Sequence, residues 1–189
     1  MLLDLRKVNP TILIDIRYAT ANNFMGFPIY SRPVCFVHPQ VATALDKIQK
    51  ELESKGMGLK VYDGFRPIAV QQAMWERIRD ERYVSNPAKS RGPHTRGVAI
   101  DVTLVDRHGH ELEMPSDFDE FTERAHLNYA HGSKAALQHR DILQKTMTAY
   151  GFEPLETEWW HFHLPGWKND ALYPPLEFSL EDLDCIKNI

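Results

Sequence analysis

The stretch from Val98 to Val105, VAIDVTLV, limits the fold more than any other part of the chain. Its side chains alternate: Val98, Ile100, Val102 and Leu104 fall on one face of a strand, Asp101 and Thr103 on the other. A strand with a continuous apolar face needs a covering layer, so the chain must build a sheet packed against something else. A loop rich in Ser, Asn, Pro and Gly, residues 84–97, delivers His94 just before this strand. Far downstream the aromatic run EWWHF, residues 158–162, reads as a second strand and brings Glu158 and His161.

Two imidazoles and two carboxylates suffice for a metal site with a base beside it. Catalytic zinc takes three protein ligands and keeps a fourth position for water. His94, Asp101 and His161 make such a set, and Glu158 is the carboxylate left over to take a proton. Residues three apart on a regular strand lie on opposite faces, so Glu158 is expected at the strand entrance or at a bulge that re-aims it. Spacing alone leaves other readings open. A histidine beside a β-branched run also serves as a satisfied structural residue, and Asp101 also suits an ion pair with Arg91 or Arg96.

The remaining segments read as scaffold. Residues 11–18 alternate Ile12, Ile14, Ile16 and Tyr18 as a half-buried strand, with Tyr18 a core aromatic on that reading. Val41, Leu45, Ile48 and Leu52 recur at helical spacing over residues 39–54, and Gly56 supplies the stop. A short strand, 59–62, runs into DGFRP, where Pro67 starts a second helix over residues 67–81. Arg66 at that turn suits a surface ion pair, or an oxyanion contact if it faces the metal. Ser133 caps a late helix whose stripe is Ala136, Arg140, Leu143, Met147 and Tyr150, ending at Gly151. His108 and His110 fall on a turn and read as solvated, while Asp119 reads as a charge in the first turn of a helix.

The fold expected is α+β, a small antiparallel sheet carrying the metal residues with helices packed over it, in a single domain spanning 1–189. A length of 189 residues with 43% hydrophobic content supports one sizeable core. A net charge of −4 with mixed signs gives no footprint for nucleic acid, and no apolar run is long enough to cross a membrane. The first fifteen residues lack the pattern of a secretory signal, so a cytoplasmic place is expected. Cys35 and Cys185 form neither a disulfide framework nor a metal pair and read as small buried or incidental residues.

Five blocks in order, DIRYATANNFMG, YDGFRP, HTRGVAIDVTL, FDE with ERAH, and EWWHF, resemble the zinc D-alanyl-D-alanine peptidase superfamily. Within it they are most similar to the VanX-type D-alanyl-D-alanine dipeptidases. The resemblance implies the fold shared with the Hedgehog signalling domain. It also implies one zinc ion per chain held by His94, Asp101 and His161, with Glu158 as general base and Arg66 at the oxyanion. It places Asp119 on the free ammonium of a small dipeptide and moves Tyr18 to the pocket that holds the dipeptide's amino end. His163 is implied to be a neighbour of the metal and not a ligand.

Two departures stand out against that family: Phe65 replaces a tyrosine in DGFRP, and Gly92 stands where a serine near the substrate is common. The second puts recognition of the substrate's carboxylate end in doubt. A zinc D,D- or L,D-carboxypeptidase acting on peptidoglycan stems shares the zinc residues and is the alternative reading. A non-haem iron oxygenase leaves Glu158 without a task. A silent zinc-binding module leaves both Glu158 and Arg66 without one.

Overall fold

The computed structural model describes residues 1–185. The chain opens with a two-residue strand, β1 (Leu3–Asp4), one helical turn, α1 (Leu5–Val8), and a second short strand, β2 (Leu13–Ile14). β3 (Phe36–Val37) pairs with β1 in an antiparallel ribbon and leads into α2 (Pro39–Glu53). Then follow β4 (Met57–Asp63), α3 (Ile68–Ile78), β5 (Ala99–Asp106) and α4 (Lys134–Ala149). The last elements are β6 (Glu153–Leu155), β7 (Glu158–His163) and a terminal turn, α5 (Asp182–Cys185).

Five strands form the main sheet in the order β2-β4-β5-β7-β6, so β5 lies at its centre. Every residue from Ala99 to Val105 is buried, which means that both faces of β5 are covered. All pairings are antiparallel except β2 with β4. The sheet is therefore mixed at one edge instead of purely antiparallel. Parallel neighbours need a long crossover, and α2 supplies it between β2 and β4.

Helix α2 starts at Pro39, with the His38 side chain accepting a hydrogen bond from Gln40 N, and its Val41, Leu45, Ile48 and Leu52 are fully buried. Gly56 then turns the chain with a φ of 74°, a conformation that favours glycine. Helix α4 is capped by Ser133 Oγ, which accepts from Ala136 N at 3.0 Å, and it buries Ala136, Arg140, Leu143 and Met147. Tyr150, just past α4, donates to Glu51 of α2 at 2.9 Å, which ties the two helices together.

Three expectations change in detail. The strand over 11–18 shrinks to β2, because Asp15 N bonds Val61 O and residues 17–19 then coil into a 3₁₀ turn. Ile12, Ile16 and Tyr18 are buried nonetheless. Helix α3 stops at Ile78, short of residue 81, where Arg79 adopts a left-handed conformation with φ 50°. Asp119 lies in no helix; its own φ is 63°. Strand β6 was not read from the sequence at all, and its Pro154 fits because β6 is an edge strand that needs no donor there.

His108 and His110 are exposed on the turn after β5. Cys35 is a buried free thiol, while the side chain of Cys185 lies outside the described residues. Among the described residues no helix is long and apolar enough to cross a membrane.

Candidate metal centre

His94 enters the site from a 3₁₀ turn, His94–Arg96, that the chain makes just before β5. Its Nδ1 lies 2.8 Å from the Gly64 carbonyl, an acceptor only, so Nδ1 carries the proton and Nε2 keeps its lone pair. Asp101 on β5 and His161 on β7 are directly paired across the sheet. The three atoms His94 Nε2, Asp101 Oδ1 and His161 Nδ1 form a triangle with sides of 3.0, 3.1 and 3.3 Å. Zinc bonds of about 2.0–2.1 Å in a tetrahedron require ligand–ligand edges of about 3.3 Å, so the donor set, its spacing and its burial fit a zinc ion with a fourth side open. Among the described residues this is the one cluster of histidine, cysteine and carboxylate side chains close enough to share an ion.

His161 is oriented from behind. Its Nε2 lies 3.3 Å from His163 Nδ1, and His163 Nε2 is 3.6 Å from Glu153. Burial and the neighbouring imidazoles push His163 down to about 3, so it stays neutral and accepts. Burial likewise lowers His161. Burial pushes the Asp101 carboxyl up, but His94 and His161 together outweigh it and hold it well below the usual carboxylate range. Arg91 and Arg96 do not pair with Asp101; they bond Glu177 and Asp170.

Glu158 is the first residue of β7, and the pairing register of β6 with β7 slips directly after it. Leu155 faces Glu158, yet the next residue, Pro154, faces Phe162. The bulge brings Glu158 Oε2 to 4.0 Å from His161 Nδ1, on the side a regular strand would deny it. The carboxyl is buried, and burial plus the charges of Asp101 and Asp119 raises it well above its ordinary value.

Arg66 sits between β4 and α3 and is buried, not a surface residue. Asp63 Oδ2 accepts from its Nε at 3.0 Å and forms an ion pair with Nη2 at 2.8 Å, and Gln71 Oε1 accepts from Nη1 at 3.0 Å. These bonds leave guanidinium N–H groups for other partners, and Nη2 lies 3.8 Å from Asp101 Oδ2. Burial alone would lower the guanidinium, but Asp63 and the nearby tyrosines keep it charged. Asp63 and Gln71 were missed in the sequence; the three-residue Asp to Arg spacing in DGFRP was the signal available. Asp63 also accepts from the Tyr30 hydroxyl at 2.7 Å, which places Tyr30 behind the site.

Tyr18 and Asp119 lie together. The Tyr18 hydroxyl donates to Asp119 Oδ1 at 2.9 Å, and Phe24 N donates to Oδ2 at 3.2 Å. Burial raises Asp119 to about 7, only partly offset by these two bonds. Both residues line a small hollow of about 10 Å³ that also touches Arg66, Glu158 and Asp101. His126 is further out, with Nε2 3.4 Å from the Tyr83 hydroxyl. On the other side of Arg66 and Glu158 opens a cleft of about 460 Å³ lined by His94, His161, Ser85 and Gly92.

A profile of the D-ala-D-ala dipeptidase family, peptidase M15, matches residues 1–178. The chain belongs to that family of zinc metallopeptidases. A D-alanyl-D-alanine dipeptidase of Escherichia coli is 38% identical over 175 residues, which is 93% of this chain and 89% of the relative. Dipeptidases of the same name from Enterococcus faecalis and Enterococcus faecium are each 32% identical, covering 87% of this chain and 90% of the relative. Against that family, Phe65 is buried and adds no polar group to the site. Gly92 is explained by its surroundings: its φ is 82°, and a Cβ there would lie 2.9 Å from Ser85 Oγ.

Proposed function

We propose that the chain hydrolyses D-Ala-D-Ala, or a closely related short D-containing dipeptide, with one zinc ion held by His94, Asp101 and His161. The observation that carries this reading is the water-sized hollow with a buried carboxylate, set beside a catalytic-type metal triangle. A space of about 10 Å³ takes roughly one water molecule, and an ammonium group is of that size. A free amino end fits beside Asp119 and Tyr18, whereas an acylated one does not.

Bound zinc would supply the Lewis acid that polarises the scissile carbonyl and makes water nucleophilic near neutral pH. Glu158 takes the proton from that water and hands it to the leaving amine, as its position beside His161 supports. Arg66, pinned by Asp63 and Gln71, holds its remaining N–H groups for the oxyanion of the tetrahedral intermediate. Asp119 receives the substrate ammonium, and Tyr18 fixes the carboxylate for it. The cytoplasm is the compartment proposed for this reaction.

Release of free D-alanine by the zinc-loaded protein tests the reading, with amino-blocked D-Ala-D-Ala and L-Ala-L-Ala beside the free D,D-dipeptide. Cleavage of the free D,D-dipeptide alone is expected. Cleavage of the blocked substrate would move the chain to the carboxypeptidases instead.

A further inference from the structure

The hollow and the cleft meet at Arg66 and Glu158, which line both. Their charges differ in sign. Asp101, Asp119 and Glu158 face a single cation, Arg66, in the small hollow. The cleft is lined by four cations, Arg66, Arg82, Lys89 and Lys168, and two acids, Glu81 and Glu158; Lys89 pairs with Glu81 and Arg82 with Asp80, which leaves Arg66 and Lys168 to face an anionic ligand. A zwitterionic dipeptide whose scissile bond lies between Arg66 and Glu158 therefore has its ammonium in the hollow and its carboxylate in the cleft.

Inside the cleft, one hydroxyl lies against the turn that leads to His94. Ser85 Oγ lies over the bare Cα of Gly92, 2.9 Å from where a Cβ would be, and Ser85 Cβ is 3.0 Å from the same point. A side chain at 92 and the hydroxyl of Ser85 thus compete for one place, two residues before His94. The left-handed backbone of Arg91 and Gly92, with φ of 59° and 82°, leaves that place open to Ser85. The loop bearing Ser85 is tied to the oxyanion side of the site through Gln71. Gln71 Nε2 donates to Ser85 O at 2.8 Å, while Gln71 Oε1 accepts from Arg66 at 3.0 Å. Gln71 itself is buried on α3, so the link is rigid.

We propose that the Ser85 hydroxyl, seated over Gly92, is a specificity-determining donor that recognises the free carboxylate end of the dipeptide. The inference rests on the dipeptidase reading above and adds a residue to it. A hydroxyl donating to a carboxylate is a charge-assisted bond, short and directional, and the surrounding cations raise the local concentration of the anionic end without fixing its orientation.

The test compares wild type and Ser85→Ala on two substrates, D-Ala-D-Ala and its C-terminal amide, with zinc content measured in both proteins. Loss of one hydrogen bond to a charged group predicts a rise in KM for the free acid of about tenfold or more, with kcat little changed. Against the amide, which has no carboxylate, the two proteins should match. Equal losses on acid and amide, or no loss on either, would overturn the assignment while leaving the dipeptidase reading intact. A wild-type protein that cleaves neither peptide would instead sink the reading and the assignment together.

Discussion

Replacing Asp119 by Asn removes a titration and keeps the shape. Asn tolerates the left-handed backbone that Asp119 adopts; its carbonyl still accepts from the Tyr18 hydroxyl, and the bond from Phe24 N is lost at a cost that does not vary with pH. In the folded chain Asp119 is raised from 3.8 to about 7 by burial. The folded protein thus holds a proton that the unfolded chain has released across that window. The associated stability is fully present below pH 3.8 and is lost as the pH rises through 7. A shift of about three units amounts to about 4 kcal/mol in all, of which about 2 to 3 kcal/mol changes between pH 5 and pH 8. Denaturant unfolding of both metal-free proteins across that range should show wild type losing this much relative to Asp119→Asn, and effects common to both cancel in the difference. Steady-state kinetics add a second readout. Below pH 7 the carboxyl is neutral and cannot pair with an ammonium, so wild-type KM should climb by about tenfold per pH unit, while the Asn variant is weak and flat. Parallel pH profiles for the two proteins would refute the argument.

Other residues give sharper losses. Glu158→Gln should lower kcat by about a hundred- to ten-thousandfold with zinc content unchanged, since it removes a base and no ligand; near wild-type turnover would mean the base is misassigned. Asp63→Ala leaves the buried Arg66 without its main partner and should cost about 3–5 kcal/mol of stability, read by denaturant unfolding. His94→Ala opens the triangle, and equilibrium dialysis should show its zinc lost at concentrations that saturate wild type. Arg66→Lys keeps a charge but not the fork that binds Asp63 and Gln71 together, so kcat should fall by about a hundredfold.

Local patterns were legible where a single strand or helix decides them. The apolar stripe of α2, the Ser133 cap of α4 and the alternation of β5 follow from side-chain periodicity and are present as expected. Glu158 was legible as a conflict: a three-residue spacing that no regular strand satisfies calls for a bulge, and the register slip between β6 and β7 is that bulge. What escaped were features set by distant parts of the chain. The parallel pairing of β2 with β4 depends on where α2 deposits the next strand, and β6 is only three residues long with a proline in it. Asp63 and Gln71, by contrast, are near Arg66 in sequence but on different elements, β4 and α3, so only the folded turn shows them gripping one guanidinium, while Ser85 meets Gly92 only in the fold. The identities of His94, Asp101 and His161 as a set came chiefly from family resemblance, because a seven-residue His to Asp gap carries little signal by itself.

On the function proposed above, one zinc ion in the His94, Asp101 and His161 triangle is what makes this chain a D,D-dipeptidase. Release of D-alanine from D-Ala-D-Ala should be measured while zinc is removed with a chelator and then titrated back. Activity should vanish with the metal and return in proportion to zinc, reaching its plateau at one equivalent per chain. Full turnover by the metal-free protein, or zinc bound at that ratio without any D-alanine released, would contradict it.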